Sequence, residues 1–423
     1  MIKMGAKRSR TTKQLSPISC DSEVKSSPTI ASAVKVASSE DLLIQILLLV
    51  PIKTLMGFKS VSKQWLYLIT DPRFIRLRYP LPPSASALFF PSSFCRSNPD
   101  YQFIPLDISE VSPTPFKTLN FTRDPLGSGI SVLQSCNGLL LCASHQAREF
   151  NRRYYVYNPT TRQFATLPKI RREYSKNVLG MSLAFDPSKS PSYKVVCVRT
   201  FGKLKQIEIY SSETQLWRVS GEPFTAPKYM EFGNSRFWNG SVHWWNNSFH
   251  NNTWRDEPYS LYFKVDEERV EQLPMPVKHI SRVQMYLVAF YLGESEGHWH
   301  LIEVNSDFTS LFDVYEMAID HSGWFVKYQV DLSAISSVFP EIIKNNRYGY
   351  AFNIISLVRR GKEEDDESFL VLEIPGGKFV RYNLMDKSVK KLWESAPIGY
   401  KFYNEDGLKY GRALPYIESL ACV

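Results

Sequence analysis

The 423-residue sequence predicts an α+β, multidomain chain, with a small module of three short helices at residues 38–80 followed by a large, mostly β domain at residues 81–423. Three observations carry this. From Leu42 to Val50 every residue but Gln45 is apolar. Beyond Pro80 the apolar runs become short and alternating, broken by Asn-Gly, Gly-Gly, Asp-Pro and Asn-Pro, which are hairpin signals. A bulky residue also recurs seven positions after an aromatic or large apolar one, at intervals just above 50 residues.

Residues 1–37 hold seven Lys or Arg against two acids and are poor in aromatics. Such a segment cannot bury enough surface to order itself, so a disordered basic tail is expected. Lys7-Arg8-Ser9-Arg10 has the form of a nuclear-import patch, although short basic runs are usually just solvated.

The first helix starts where Ser38 and Ser39 can cap it and Glu40 and Asp41 meet the positive end of its dipole. Pro51 ends it and opens a second helix to Phe58, since a proline at the first helical position gives up no needed donor. Gly57 weakens the far end. A third segment runs from Val61 to Ile69, and Asp71-Pro72 stops it. Burying one side of the first helix leaves Ile44 or Leu48 facing water, and roughly 45 residues make a poor core alone. The open side is therefore expected to meet a protein partner.

Four strings in this module, Glu40-Asp41-Leu42-Leu43, Val50-Pro51-Ile52-Lys53-Thr54-Leu55, Val61-Ser62-Lys63-Gln64-Trp65 and Thr70-Asp71-Pro72-Arg73-Phe74, resemble the F-box of plant F-box proteins. Ser38-Ser39 stands where that family usually has Leu-Pro. The resemblance implies docking on a Skp-type adaptor, and through it a cullin, by Leu42, Leu43, Ile46, Leu47, Pro51, Ile52, Leu55, Val61, Ser62 and Trp65, some of which, Trp65 especially, would instead hold the module together. Leu47→Asp is expected to cost adaptor binding while leaving the large domain folded.

In the large domain, Tyr157 aligns with Phe164, Tyr210 with Trp217, Phe263 with Val270, Met317 with Trp324, and Tyr382 with Val389, each pair across a polar turn. The intervals are 53, 53, 54 and 65, and Asn137-Gly138 and Asn239-Gly240 lie 102 apart, close to two periods. The long last interval contains the charged stretch Arg359 to Glu367. A period near 50 is that of kelch-like propeller blades and gives about six blades, the sixth near Phe103 to Ile108. The competing arrangement is a β-sandwich with coincidental hairpin spacing.

Ser135-Cys136-Asn137-Gly138-Leu139-Leu140, Tyr157-Asn158-Pro159-Thr160-Thr161, Gly180-Met181-Ser182-Leu183-Ala184-Phe185-Asp186-Pro187, Tyr193-Lys194-Val195-Val196, Tyr210-Ser211 and Asn239-Gly240-Ser241-Val242-His243-Trp244 resemble, in order, the F-box-associated interaction domain of the same plant family.

Chemistry is sparse. No nucleophile elbow, phosphate loop, dinucleotide fingerprint or zinc-protease helix occurs. His298 and His300 would share a strand face, as a metal site requires, but without an evident third ligand they read as a polar face. Asp365 and Asp366, with Glu363, Glu364 and Glu367, read as a solvated loop beside Arg359, Arg360 and Lys362. No metal, cofactor or catalytic residue is assigned. Phe237-Trp238 and Trp244-Trp245 are expected mostly in the core. The net charge of +9 divides as +5 on residues 1–37, +3 on 38–80 and only +1 on the rest, which argues against a phosphate-tracking surface.

Six scattered cysteines without Cys-x-x-Cys pairs suit reduced thiols in the cytosol or nucleus. No signal peptide opens the sequence, and its longest apolar run is far short of the ~20 residues a membrane span needs. Four sequons start at Asn120, Asn239, Asn246 and Asn251 and are taken as chance. The expected function is that of a substrate receptor of an SCF-type (Skp, cullin, F-box) ubiquitin ligase, with no bond chemistry of its own and an unknown target. The alternative is a carbohydrate- or peptide-binding propeller whose F-box has drifted out of use.

Overall fold

The computed structural model describes residues 35–36, 38–79, 84–91, 99–107, 114–122, 129–145, 151–170, 178–246, 259–276, 289–304, 310–343, 349–361, 367–394 and 413–423. Most of the tail expected at 1–37 lies outside these residues, as do Ile108, Asn251 and the acids Glu363 to Asp366. By chain contacts the molecule divides into two compact units, residues 1–49 and 50–423.

The first unit carries helix α1 (Glu40–Leu49). Ser39 supports its start, with the Leu43 amide donating to the Ser39 carbonyl at 3.1 Å and the Leu42 amide 3.5 Å from Ser39 Oγ. The second unit opens with α2 (Ile52–Phe58), α3 (Lys63–Thr70) and α4 (Pro72–Arg78). Pro51 takes the N-cap position of α2. The fourth helix is an addition to the three expected: Asp71-Pro72 ends α3 and also starts α4, because the Asp71 carboxylate accepts from the Arg73 amide at 2.7 Å and Pro72 fills the first helical position. No described helix is long and apolar enough to cross a membrane.

The rest is a six-bladed propeller. Five four-stranded antiparallel sheets follow in chain order, β3–β6, β7–β10, β11–β14, β15–β18 and β19–β22, starting at Ile130, Val178, Met230, Ala289 and Asn353. The remaining sheet joins β1 (Ala87–Pro91) and β2 (Tyr101–Pro105) to the last strand, β23 (Leu414–Tyr416), with Ala87 opposite Tyr416 and Phe89 opposite Leu414. The ring is thus closed by its two ends, and Phe103 to Pro105 lie in the sheet that the sequence left least defined.

All five aligned pairs are directly opposed in the ladder between the third and fourth strands of their sheets. In four of the turns the residue two before the second partner has a positive φ, Arg162, Gln215, Glu268 and Lys387 at 54° to 60°. Asn137-Gly138 and Asn239-Gly240 turn between first and second strands, at φ 45° and 88°, and 46° and 74°, the two positive values a type I′ turn requires.

Each core lies between neighbouring sheets. The second strand of a sheet is buried on both faces, so alternate residues serve different neighbours. On β8 (Lys194–Phe201), Val195 and Cys197 pack toward the preceding sheet and Val196 and Val198 toward the following one. On β20 (Phe369–Ile374), Phe369 and Val371 join Leu88 and Phe90 of the first sheet, while Leu370 and Leu372 join Ile302 and Val314 of the preceding one. Indole hydrogen bonds add to this at the rim, from Trp217 Nε1 to Pro168 O and from Trp324 Nε1 to Pro274 O, both 2.9 Å.

The added length of the last interval has two sources. The connection 359–368, which carries the charged stretch, stands where 239–240 and 296–297 are two-residue turns, although 185–193 is nearly as long. The second source is a helical insertion after β18 (Trp324–Asp331), α5 (Ser333–Val338) and a 3-10 turn (Pro340–Ile342). It is too short to show a helical period.

Two glycines should respond oppositely to alanine. A Cβ on Gly180 would meet Phe232 O at 2.1 Å, where β7 (Val178–Ala184) and β11 (Met230–Trp238) approach, whereas one on Gly57 in α2 meets nothing within 4 Å. Gly180→Ala should destabilise by at least the ~1–3 kcal/mol typical of overpacking, and Gly57→Ala should stabilise by about 0.5–1 kcal/mol, both read from urea unfolding midpoints.

Candidate functional site

On α1 the two sides separate by helical spacing. Leu43 and Leu47 are buried, Leu47 completely, while Leu42, Ile46 and Leu49 are 43%, 47% and 87% exposed. These three stand at i, i+4 and i+7, which is one face of a helix. The open side was expected at Ile44 or Leu48, which are only partly covered. An apolar stripe of this kind leaves hydrocarbon in water at roughly 25 cal/mol per Å² until something covers it.

Among α2–α4, Ile52, Leu55, Leu68, Ile69, Phe74 and Ile75 are buried. Pro51, Val61 and Ser62 are exposed and Trp65 is half-buried. Ser62 Oγ caps α3 by accepting from the Trp65 amide at 3.1 Å, and the Trp65 ring meets Phe58 edge-on at 5.0 Å, fixing α2 to α3. Of the ten residues implicated from sequence, Leu42, Ile46, Pro51, Val61 and Ser62 are therefore open, Leu43, Leu47, Ile52 and Leu55 are closed, and Trp65 lies between. Leu49, Leu66, Tyr67 and Leu77 are also exposed and were missed, since an all-apolar run does not say which of its sides is free.

In the propeller the candidate chemistry resolves into structure. His298 Nδ1 lies 2.7 Å from Glu316 Oε1, and His300 Nε2 and Arg359 Nη1 lie 3.4 and 2.9 Å from Glu316 Oε2. The strand-face pair thus converges on a carboxylate already held by a guanidinium. Burial alone would raise the Glu316 carboxyl, but the two imidazoles outweigh it and hold the group well below the usual range. Among the described residues no group of three or more His, Cys, Asp or Glu could hold a metal ion. Trp238, Trp244 and Trp245 are buried, and Trp238 Nε1 donates to Gly297 O at 2.7 Å. Burial pushes the Cys136, Cys142 and Cys197 thiols up. An open cavity of about 520 Å³ lies at the turn end of the third and fourth blades, lined by residues that include Leu179, Lys205, Lys228, Met230, Glu231 and Asn234.

The chain thus combines a helical module that carries an exposed apolar stripe with a closed propeller. Comparison with known proteins places it further. The F-box domain model matches residues 39–77 and the F-box associated beta propeller domain model residues 104–294. F-box protein At5g07610 of Arabidopsis thaliana is 36% identical, over 97% of this chain and 99% of its own length. F-box protein At5g49610 of the same plant is 28% identical over 72% of this chain and 81% of its own. TolB from Acinetobacter baumannii aligns in structure over 84% of this chain and 69% of its own, at 11% identity and a TM-score of 0.38. The chain belongs to the F-box proteins that carry an F-box-associated propeller. That organisation is the one of an SCF substrate adaptor, and an F-box implies a Skp-type adaptor as its partner.

The buried histidines make a prediction about acid. Burial, aided by His321, holds His243 well below its ordinary value of 6.5, and burial also lowers His300 and His321. A histidine lowered in the fold takes its proton more readily when unfolded. Stability is then full above about pH 6.5 and falls as pH drops, by at most ~1.4 kcal/mol per pH unit for each group. The thermal midpoint should fall between pH 7 and 5. His321→Asn, which suits the φ of 62° there and removes the 2.9 Å contact with His243, should make that fall shallower; equal slopes would refute the account.

Proposed function

We propose that this chain is the substrate receptor of an SCF-type ubiquitin ligase, in which the F-box helices bind a Skp-type adaptor carried on a cullin and the propeller holds a target protein. The single observation that supports it best is the stripe Leu42, Ile46 and Leu49, apolar and open within a family-matched F-box. Taking each unit by itself, the candidate adaptor contacts are its open residues, Leu42 and Ile46 on α1, and Pro51, Val61 and Ser62 in the second unit. Leu43, Leu47, Ile52 and Leu55 are buried and support their own helices. Binding such a stripe recovers the hydrophobic free energy that exposure forgoes.

In this reading the chain breaks and forms no bond. Its contribution is proximity. A target on the propeller and a ubiquitin thioester carried by the same assembly meet at high effective concentration, which removes the entropy of a bimolecular encounter. The cavity with Lys205, Lys228 and Glu231 in its lining offers the target a surface with polar and apolar groups together. Such a receptor would work in the cytosol or nucleus, where its cysteines stay reduced.

One observation favours the second reading, a propeller that binds a carbohydrate or peptide without recruiting a cullin. Ser38 and Ser39 replace the family's Leu-Pro, and their hydroxyls face backbone groups, Ser38 Oγ donating to Lys35 O at 3.0 Å. The start of α1 is therefore polar where the family's docking surface is apolar. Co-purification with a Skp adaptor separates the two readings. The ligase reading expects a complex with the unmodified chain; a complex only after Ser38-Ser39 is changed to Leu-Pro supports the drifted form.

Ile46→Asp should weaken adaptor binding at least tenfold, an ionised side chain on the stripe costing more than ~1.4 kcal/mol, with the thermal midpoint of the propeller unchanged. Leu47→Asp is the poorer test, because Leu47 is fully buried and the change should unfold the helix rather than report on its surface. Titration of the adaptor against both variants reads the difference. Unaltered affinity in Ile46→Asp would sink the assignment.

A further inference from the structure

The segment after β23 is held from two sides. On one side are the turns of the β3–β6 sheet. Asn158 Nδ2 donates to Ser419 O at 3.0 Å and to Ala421 O at 2.8 Å, and Thr160 Oγ1 accepts from the Ser419 amide at 3.1 Å. Gly138, at φ +88°, comes so near that a Cβ there would stand 2.3 Å from Ser419 Cβ. On the other side are the F-box helices of the same unit. Lys53 Nζ of α2 lies 3.0 Å from Glu418 Oε1, and the hydroxyl of Tyr79, which follows α4, donates to Glu418 O at 3.1 Å. Burial pushes that hydroxyl up to about 12. Ser419, Leu420 and Ala421 are buried.

The energies differ along the segment. The Lys53–Glu418 pair is half open to water and contributes little. The Asn158 bonds are buried, and both of its amide hydrogens are committed to this segment, so losing them strands two carbonyls from water. Its Oδ1 meanwhile accepts from the Thr160 and Thr161 amides at 2.9 and 3.2 Å. One side chain thus shapes its own turn and grips the segment.

We propose that residues 418–421 form a positioning strap that fastens α2–α4 to the second sheet of the propeller, with Asn158 as the residue on which the fastening depends. The two parts then turn in solution as one body. Taken with the ligase reading, on which this consequence rests, the strap fixes the direction in which a bound target is presented. A target lysine samples fewer distances from the thioester than a free hinge would allow.

Asn158→Asp isolates the strap. It keeps the one oxygen that accepts both turn bonds but replaces the amide nitrogen with an oxygen set against two carbonyls. In the full chain with isoleucine methyl labels, relaxation at Ile69 and Ile75 reports the F-box helices, and at Ile302 and Ile354 the propeller. The unmodified chain should give one rotational correlation time. In Asn158→Asp, and in a second variant ending at residue 417, the time at Ile69 and Ile75 should fall at least twofold below that of the propeller, with the propeller methyl spectrum unchanged. A single shared time in the shortened variant overturns the proposal, whether or not Asn158→Asp folds. No adaptor enters this measurement, so it stands apart from the ligase reading, and adaptor affinity within twofold of the unmodified chain would show that the strap positions rather than binds.

Discussion

The pairing of β23 with β1 is the constraint on which the propeller depends. Each sheet has two apolar faces, and a row of such sheets left open would expose one at each end. Closing the row removes both. Leu88 and Phe90 of β1 and Ile104 of β2 then pack on Phe369 and Val371 of the last full sheet, while Phe89 and Tyr101 share a core with Leu414 and Tyr416 of the closing strand. A three-residue strand achieves this because its ladder continues a sheet already formed. The same closure delivers the following residues to the turns of the second sheet.

That geometry explains what the sequence disclosed. The repeat was legible through third and fourth strands, where a buried residue stands opposite a more exposed one across a turn whose left-handed residue recurs at Arg162, Gln215, Glu268 and Lys387. Second strands such as β20 gave only continuous apolar runs, because each of their faces is buried against a different neighbour. The closing strand had no signal, since its partner lies more than 300 residues away and no hairpin turn joins them. Asp71-Pro72 was read as a stop and is also a start, two meanings that local chemistry does not separate.

The exposed apolar stripe was half legible. A helix apolar on every side announces a second partner, yet its open face depends on where the other elements lie. Leu42, Ile46 and Leu49 were as apolar in sequence as Leu43 and Leu47, and only burial distinguishes them. His298 and His300 were read as a polar strand face, and their carboxylate partner Glu316 stands opposite His300 on the neighbouring strand of the same blade. The guanidinium of Arg359 reaches Glu316 from the sixth blade, a contact between blades that the sequence does not disclose.

The asparagines of the recognisable motifs then take on a specific meaning. Asn137 Nδ2 reaches Phe185 O at 2.7 Å, Asn239 Nδ2 reaches Ile319 O at 2.8 Å, and Asn158 grips the segment after β23. Each binds the backbone of another blade or of the strap. The residues that carry the family likeness are therefore fasteners of the scaffold, and shared motifs predict a shared ring without predicting a shared target. Under the proposed function, discrimination among targets would fall to side chains that the fastening does not use, such as Lys205 and Lys228 beside the open cavity.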